Sequence, residues 1–452
     1  PKADENAHAP TVGCLEKNIV DPDGKSKGYH FVDQCWVYGL VLAASGCNHY
    51  ARDAIGPIEL HLEGPAEEGY GGLSVDQYNL SLTLFFIVNV VVPLIAGVVA
   101  IQLDAPTTML IVLVFGGIGN ILAASTVISL PIDNVTFQIG RTLAGFSYEA
   151  FDILCMPIIT KYISNWYMSV LIAIGQASIR AGSVASFSCA STMLKFLSWE
   201  VVLVITAFVG CAPLGLIFSL RKMTIRMDAV LLKEASARGL EVQIEEKTST
   251  LTMLTKLSPS FWMFILGAGA LYGAMVPFWF IGSKYLHDAW GFTDVTAAAL
   301  MAIPELMMVV VAVPWGFLTD KQKWGVKKRL WAAAASTVLV FSVGMTLFMI
   351  AFPQMRWFGY ILLPIIGTGF AIACTTAWAV VNKLNEDTRL HGIGAAILGA
   401  AINLLPAVVI NVFTEDKAYD LSVLAWLGVF AALSFSSASM LAPKEVAEKE
   451  ML

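Results

Sequence analysis

The chain has 452 residues, 57% of them hydrophobic and 14% charged, with a mean hydropathy of +0.70. That composition lies well to the apolar side of a soluble globular domain and places the chain in a lipid bilayer. A formal charge of −6 and a pI near 5.6 leave no broad basic surface to neutralise phosphates, which excludes nucleic acid as a partner.

Residues 1–32 read as a polar tail, and nothing in them resembles a signal peptide, which needs a basic stretch, a short apolar core and a small-residue cleavage site. A spanning helix takes about 20 apolar residues. Twelve such runs follow in chain order: 33–53, 78–101, 108–131, 139–160, 167–193, 200–220, 259–283, 295–318, 328–352, 357–381, 391–413 and 420–442. The expected fold is therefore an all-α membrane protein with twelve transmembrane helices in two six-helix bundles, 33–220 and 259–442. A polar linker over 221–258, with an amphipathic helical stretch near 226–238, joins the bundles, and a tail over 443–452 ends the chain.

Lysine and arginine set the orientation. The linker carries seven, and residues 320–329 after the eighth span carry five, so both read as cytosolic. The loop "DAIGPIELHLEGPAEEGYGG" after the first span has four glutamates and no basic residue, as expected of the opposite face. Both termini then lie in the cytosol.

Six of the seven cysteines, all but Cys14, fall within apolar runs and read as small buried side chains; no Cys/His spacing suits a metal. Among the six histidines, His49 near the outer end of the first span is the one to watch. Small residues recur every fourth position in the fifth span (Ser178, Gly182, Ser186, Ala190) and in the eleventh (Gly392, Ala396, Ala400), which lets neighbouring helices approach closely.

The fourth, fifth and eighth spans place charge where it is expensive. Glu149, Arg180 and Glu305 fall within about 3 Å of the midplane, and Asp152 lies one turn from Glu149. A charge at that depth costs about 2.5 to 3.5 kcal/mol on insertion scales, so these groups must face protein, water or one another. One reading is a structural Glu149–Arg180 ion pair locking two helices. The sharper reading puts a solute between them, the guanidinium fork taking a carboxylate and the glutamate an ammonium, as a zwitterion would require. With three carboxylates against one guanidinium the excess charge is relieved by a proton, a cation or a cationic solute, which opens proton coupling through Asp152 or Glu305.

"PWGFLTDKQKWG" after the eighth span resembles the major facilitator superfamily, whose loop motif Gly-x-x-x-Asp-Arg/Lys is matched by Gly316, Asp320 and Lys321. The first-half counterpart "AIQLDAPTT" keeps only Asp104, with Ala100 and Ala105 where glycine and the basic residue are expected. Arg141 and Gly145 in "GRTLAGFSYEA" are similar to the family's fourth-span Arg-x-x-x-Gly pattern. Gly140, Arg141, Gly145 and Glu149, then Gln176, Arg180, Gly182 and Ser183, resemble the branch of lysosomal dipeptide uniporters. The likeness extends through "FWMFILGAGALYGAMVPF", which contains Tyr272, and to Trp378. That branch implies alternating access, a site where Glu149 meets the peptide's amino end and Arg180 its carboxylate with Tyr272 and Trp378 alongside, and a lysosome-like membrane. Asp152 and Glu305 are additions to its pattern.

Two classes stand against each other: a solute carrier for a dipeptide, amino acid or organic anion, and a transport-silent subunit or scaffold of a larger membrane assembly. A mitochondrial or plastid membrane is the alternative to a lysosome-like one. An enzyme is disfavoured, since no His-Glu-x-x-His, Gly-x-Ser-x-Gly or phosphate-cradling loop is present, and no cofactor is expected.

Overall fold

The computed structural model describes residues 31–128, 130–163, 168–237, 256–350, 355, 357–381, 383–384, 390–412 and 422–442. The expected tails at 1–30 and 443–452 and most of the linker lie outside these residues. Among the described residues, ten helical segments are long and apolar enough to cross a membrane. Helices Phe31–Asp53 and Leu390–Val409 complete twelve passages, the first masked in hydropathy by its buried polar side chains. The protein is an integral, multi-pass membrane protein.

The spans sort into two bundles by packing. Span 1 packs against spans 5 and 6, span 3 against 4 and 6, and span 2 against 4; in the second bundle span 7 packs on 11 and 12, span 8 on 10, and span 9 on 10 and 12. The bundles meet where span 5 packs on span 8 and span 2 on span 11. Span 7 is apolar all round because it is buried all round, with 94% of its apolar window inside the protein. The small-residue stripe of span 5 lies on span 1: a Cβ at Gly182 would fall 2.1 Å from the carbonyl oxygen of Gly46, and the Ser178 hydroxyl donates to the Leu42 carbonyl at 2.8 Å. Lipid supplies no hydrophobic drive between helices, so this close backbone approach is what holds them.

Helix ends are set by local caps. Ser74 and Gln77 form a reciprocal capping box at the start of span 2, and Ser258 accepts from the Phe261 N–H at the start of span 7, where Pro259 occupies the first turn. Span 6 does not stop at residue 220. Its helix runs unbroken from Trp199 to Ala237, 39 residues, so the amphipathic stretch expected in the linker is the projecting end of the sixth span. Lys161 and Tyr162 at the end of span 4 bond to Asp228 on this projection at 2.9 and 3.0 Å.

The face carrying the 54–74 loop is closed over the bundle boundary. Lys284 of span 7 bonds to Glu63 of the short helix Glu59–Glu63 at 2.5 Å, and Asn411 of the second bundle donates to Thr83 of the first at 2.8 Å. Glu59, outside the spans, is buried beside this bridge. Desolvation, with Glu63 adding to it, holds its carboxyl well above the usual range, and Lys284 offsets part of that effect.

Candidate substrate site

Span 4 was expected to be continuous and is interrupted at mid-depth. One helix ends at Gly145, residues 146 and 147 form a turn closed by Phe146 N–H to Leu143 O at 3.1 Å and Ser147 N–H to Ala144 O at 3.3 Å, and a second helix runs Tyr148–Tyr162. Amide side chains from neighbouring spans satisfy the exposed backbone. Asn89 of span 2 accepts from the Glu149 N–H at 2.9 Å, and Asn48 of span 1 donates to the Ser147 carbonyl at 3.2 Å. Glu149 thereby occupies the first turn of a helix whose amino end lies inside the membrane, where the helix dipole favours a carboxylate. Its Oε2 accepts from Asn403 of span 11 at 3.1 Å. Gly399 makes room for this contact, because a Cβ there would meet Ile153 at 2.4 Å and the Glu149 Cγ at 3.1 Å.

Asp152 takes a different direction. A three-residue step turns about 60° around the axis, and this rotation carries Asp152 from span 11 to span 1. There Oδ2 meets His49 Nε2 at 2.7 Å and Oδ1 accepts from the Ser45 hydroxyl at 3.3 Å. The Tyr148 hydroxyl bonds the other ring nitrogen, His49 Nδ1, at 3.0 Å.

Arg180 and Glu149 are not paired, contrary to the structural ion pair that their sequence positions allow. The partner of Arg180 is Glu305 of span 8, with Nη1 and Oε2 at 3.5 Å across the bundle boundary. Span 8 is also interrupted, at Met301, and Glu305 sits in the first turn of the helix Ala302–Lys321 that follows. The guanidinium lies over the Trp279 ring at 4.5 Å and near Phe370 at 5.6 Å, so its faces are covered by aromatic rings of the second bundle. Arg180 Nε and Nη1 and both oxygens of Glu305 are buried without a hydrogen-bond partner. Glu149 instead faces Asn403, and electrostatic reach is all that links it to Arg180.

Two charged groups escaped the sequence reading. Arg52 forms a bidentate pair with its neighbour Asp53 through Nε and through Nη2, the latter at 2.7 Å, both residues being buried. Arg52 also lies over the Tyr148 ring at 4.4 Å and the Trp279 ring at 5.2 Å, so Trp279 is approached by two guanidiniums of the first bundle. Hydropathy put Arg52 and Asp53 at the end of span 1, where charge is cheap; packing of Arg52 against Tyr148 of span 4 and Trp279 of span 7 keeps the pair buried. Asn48, Asn89 and Asn403 also belong to the site, and the signal in the sequence is a lone amide within an apolar run.

Tyr272 and Trp378 do come together. The Trp378 indole donates to the Tyr272 hydroxyl at 3.0 Å, and that hydroxyl contacts Cys374 Sγ at 2.9 Å. Below Asp152, toward the face that carries the linker, lies a cavity of about 40 Å³ lined by Ser45, Asp152, Gln176 and Trp378 among apolar residues of spans 1, 4 and 5. That volume holds roughly two or three waters. Of the residues expected to line one site, Asp152 and Trp378 border this cavity, while Glu149, Arg180, Glu305 and Tyr272 stand off it in the boundary between the bundles.

The loop-motif residues do structural work of two kinds. Asp320 pairs with Arg329 of span 9 at 2.8 Å; the adjacent Lys321, expected as its basic companion, is exposed over Phe317. Gly316 accepts from the Thr319 hydroxyl at 2.9 Å. Asp104 caps span 3 through the Thr107 N–H at 2.7 Å, and Thr107 accepts from Arg221 at 2.9 Å. Arg141 is far from both loops: buried in the first half of span 4, it lies over the Phe85 ring at 4.7 Å with Nε and Nη2 lacking a partner.

Two bundles of six passages with charged side chains gathered between them at mid-depth define a membrane transport fold. The Major Facilitator Superfamily model matches residues 41–410, and the chain belongs to that family of transporters. It is similar to the lysosomal dipeptide transporter MFSD1 of Danio rerio, 24% identical over 165 residues, and of Pongo abelii, 19% identical over 295 residues. These matches cover 36% and 62% of this chain and span 32% and 60% of the relatives' lengths. Among solved structures it is similar in fold to the proton:xylose symporter XylE bound to 6-bromo-6-deoxy-D-glucose, with a TM-score of 0.67 and 13% identity over 90% of this chain and 95% of that one.

Proposed function

We propose that the protein is a solute carrier that moves a small zwitterionic or anionic organic solute, a dipeptide or amino acid before others, by alternating access. The observation that carries this reading is the pair of contacts across the bundle boundary, Glu149 with Asn403 and Arg180 with Glu305. Buried polar atoms without partners cost about 1 to 3 kcal/mol each, so Arg180 and Glu305 gain by exchanging each other for a bound solute. Arg180 then takes a carboxylate, Glu149 an ammonium, and Tyr272 and Trp378 form the wall on the second bundle. A cavity of about 40 Å³ is too small for a dipeptide, so the bundles have to part for loading.

The similarity to dipeptide transporters supports the substrate class and a lysosome-like membrane, and the basic residues of the linker support a cytosolic linker face. Counterflow in liposomes with a dipeptide and organic-anion panel tests it. Glu149→Gln is expected to abolish dipeptide exchange and spare anions, and Arg180→Lys to impair both. No exchange with any solute, together with isolation from native membranes in fixed stoichiometry with other proteins, favours the transport-silent subunit instead.

A further inference from the structure

We propose that His49 and Asp152 form a proton-binding site whose occupancy is coupled to the rocking of the bundles; this deepens the carrier reading and rests on it. Four groups make an unbroken hydrogen-bonded chain through the first bundle: Ser45 Oγ to Asp152 Oδ1 at 3.3 Å, Asp152 Oδ2 to His49 Nε2 at 2.7 Å, and His49 Nδ1 to the Tyr148 hydroxyl at 3.0 Å. One end of the chain opens on a cavity and the other is sealed. Ser45 and Asp152 border the cavity on the linker side, Asp152 retaining 10% exposure, whereas His49 is 2% exposed and packed on the Tyr148 ring.

With the imidazole neutral, its Nε2–H donates to Asp152 and its Nδ1 accepts from the Tyr148 O–H. A proton arriving from the cavity adds to the pair so that both ring nitrogens carry hydrogen; the Tyr148 hydroxyl then rotates to accept, and no other bond changes. The added charge is not isolated. Arg52 and Asp53 on span 1, Glu149 on span 4, Arg180 on span 5 and the Cys155 thiol all lie within electrostatic reach of the pair. Three guanidiniums, counting Arg141, and four carboxylates, counting Glu305, leave this region with a formal excess of one negative charge, which one bound proton neutralises. Glu149, three residues from Asp152 on the same helix, holds a bond to the second bundle, so the charge change acts beside a contact that must break when the bundles move.

The test uses the full chain in lipid nanodiscs and needs no identified solute. Histidine-labelled protein, with His49 assigned by His49→Gln, is titrated by NMR from pH 4.5 to 8, and the distance between spin labels at Glu68→Cys and Thr293→Cys, exposed on opposite bundles at the loop face, is read at both ends of that range. The expected result is one protonation step at His49, displaced by a pH unit or more in Asp152→Asn, and a pH-dependent label distance that is lost in both Asp152→Asn and His49→Gln. The milder Tyr148→Phe is expected to weaken the distance response without abolishing the step. A His49 that keeps one protonation state throughout, or a distance response retained in both dyad variants, overturns the inference. Dipeptide counterflow by the unmodified protein at equal pH on both sides reads the carrier function separately: exchange with a silent dyad sinks this inference alone, and a titrating dyad without exchange sinks the carrier reading.

Discussion

Arg180 and Glu305 oppose each other across the bundle boundary at 3.5 Å, close enough to attract and too loosely set to hydrogen-bond. Removing one partner of a buried pair strands the other charge at about 3 to 5 kcal/mol, whereas replacing both by apolar groups is often nearly neutral. Arg180→Met is therefore expected to lower the unfolding temperature strongly and Arg180→Met with Glu305→Met to recover most of it. Thermal unfolding of the purified variants in one detergent checks this; a double variant no better than the single one means the pair is not the reason both are buried.

The interruption in span 4 depends on an amide from another helix. Asn89→Ala leaves the Glu149 N–H without an acceptor in the membrane interior and is expected to cost about 1 to 3 kcal/mol. Asn89→Leu, which keeps the side-chain volume without the accepting oxygen, should recover little of that loss. Comparing the two melting curves separates the hydrogen bond from the volume of the side chain.

Gly182 and Gly175 lie on the same helix and predict opposite outcomes. A methyl at Gly182 runs into the backbone of Gly46 at 2.1 Å, which no side-chain rotation relieves, while a methyl at Gly175 meets nothing within 4 Å. Gly182→Ala should yield little monodisperse protein on size-exclusion chromatography and Gly175→Ala a normal amount.

At the loop face the pH dependence has a definite sign. Burial raises the Glu59 carboxyl above its ordinary value of 4.5, so the folded state binds a proton that the unfolded chain has already released. The stability this group contributes is complete below about pH 4.5 and falls as pH rises through the raised value. Glu59→Gln, which fixes the neutral form, should melt higher than the wild type at pH 7.5, and the gain should shrink as pH is lowered. An advantage that stays constant with pH locates the effect elsewhere.

The twelve passages were legible because lipid imposes a simple rule on composition, and ten helices obey it outright. Glu149, Asp152, Arg180 and Glu305 stood out for the converse reason, that charge in an apolar run is costly. Their pairing was not legible. Which carboxylate faces Arg180 depends on how span 8 crosses span 5, and the direction of Glu149 on an interruption braced by Asn48 and Asn89, residues 99 and 60 positions away in the chain. Arg52 and Asp53 escaped because a hydropathy window sees the end of a helix and not the aromatic side chains of spans 4 and 7 that pack against it.

The sixth helix has a mechanical consequence. At 39 residues it is about 58 Å long, nearly twice the hydrocarbon thickness. Its overhang is bolted by Asp228 to Lys161 and Tyr162, the last turn of the helix that begins beside Glu149. Whatever tugs on that stalk outside the membrane pulls on the same rigid rod that carries the acidic side chains at its heart, so the connector between the halves is a lever arm as well as a tether.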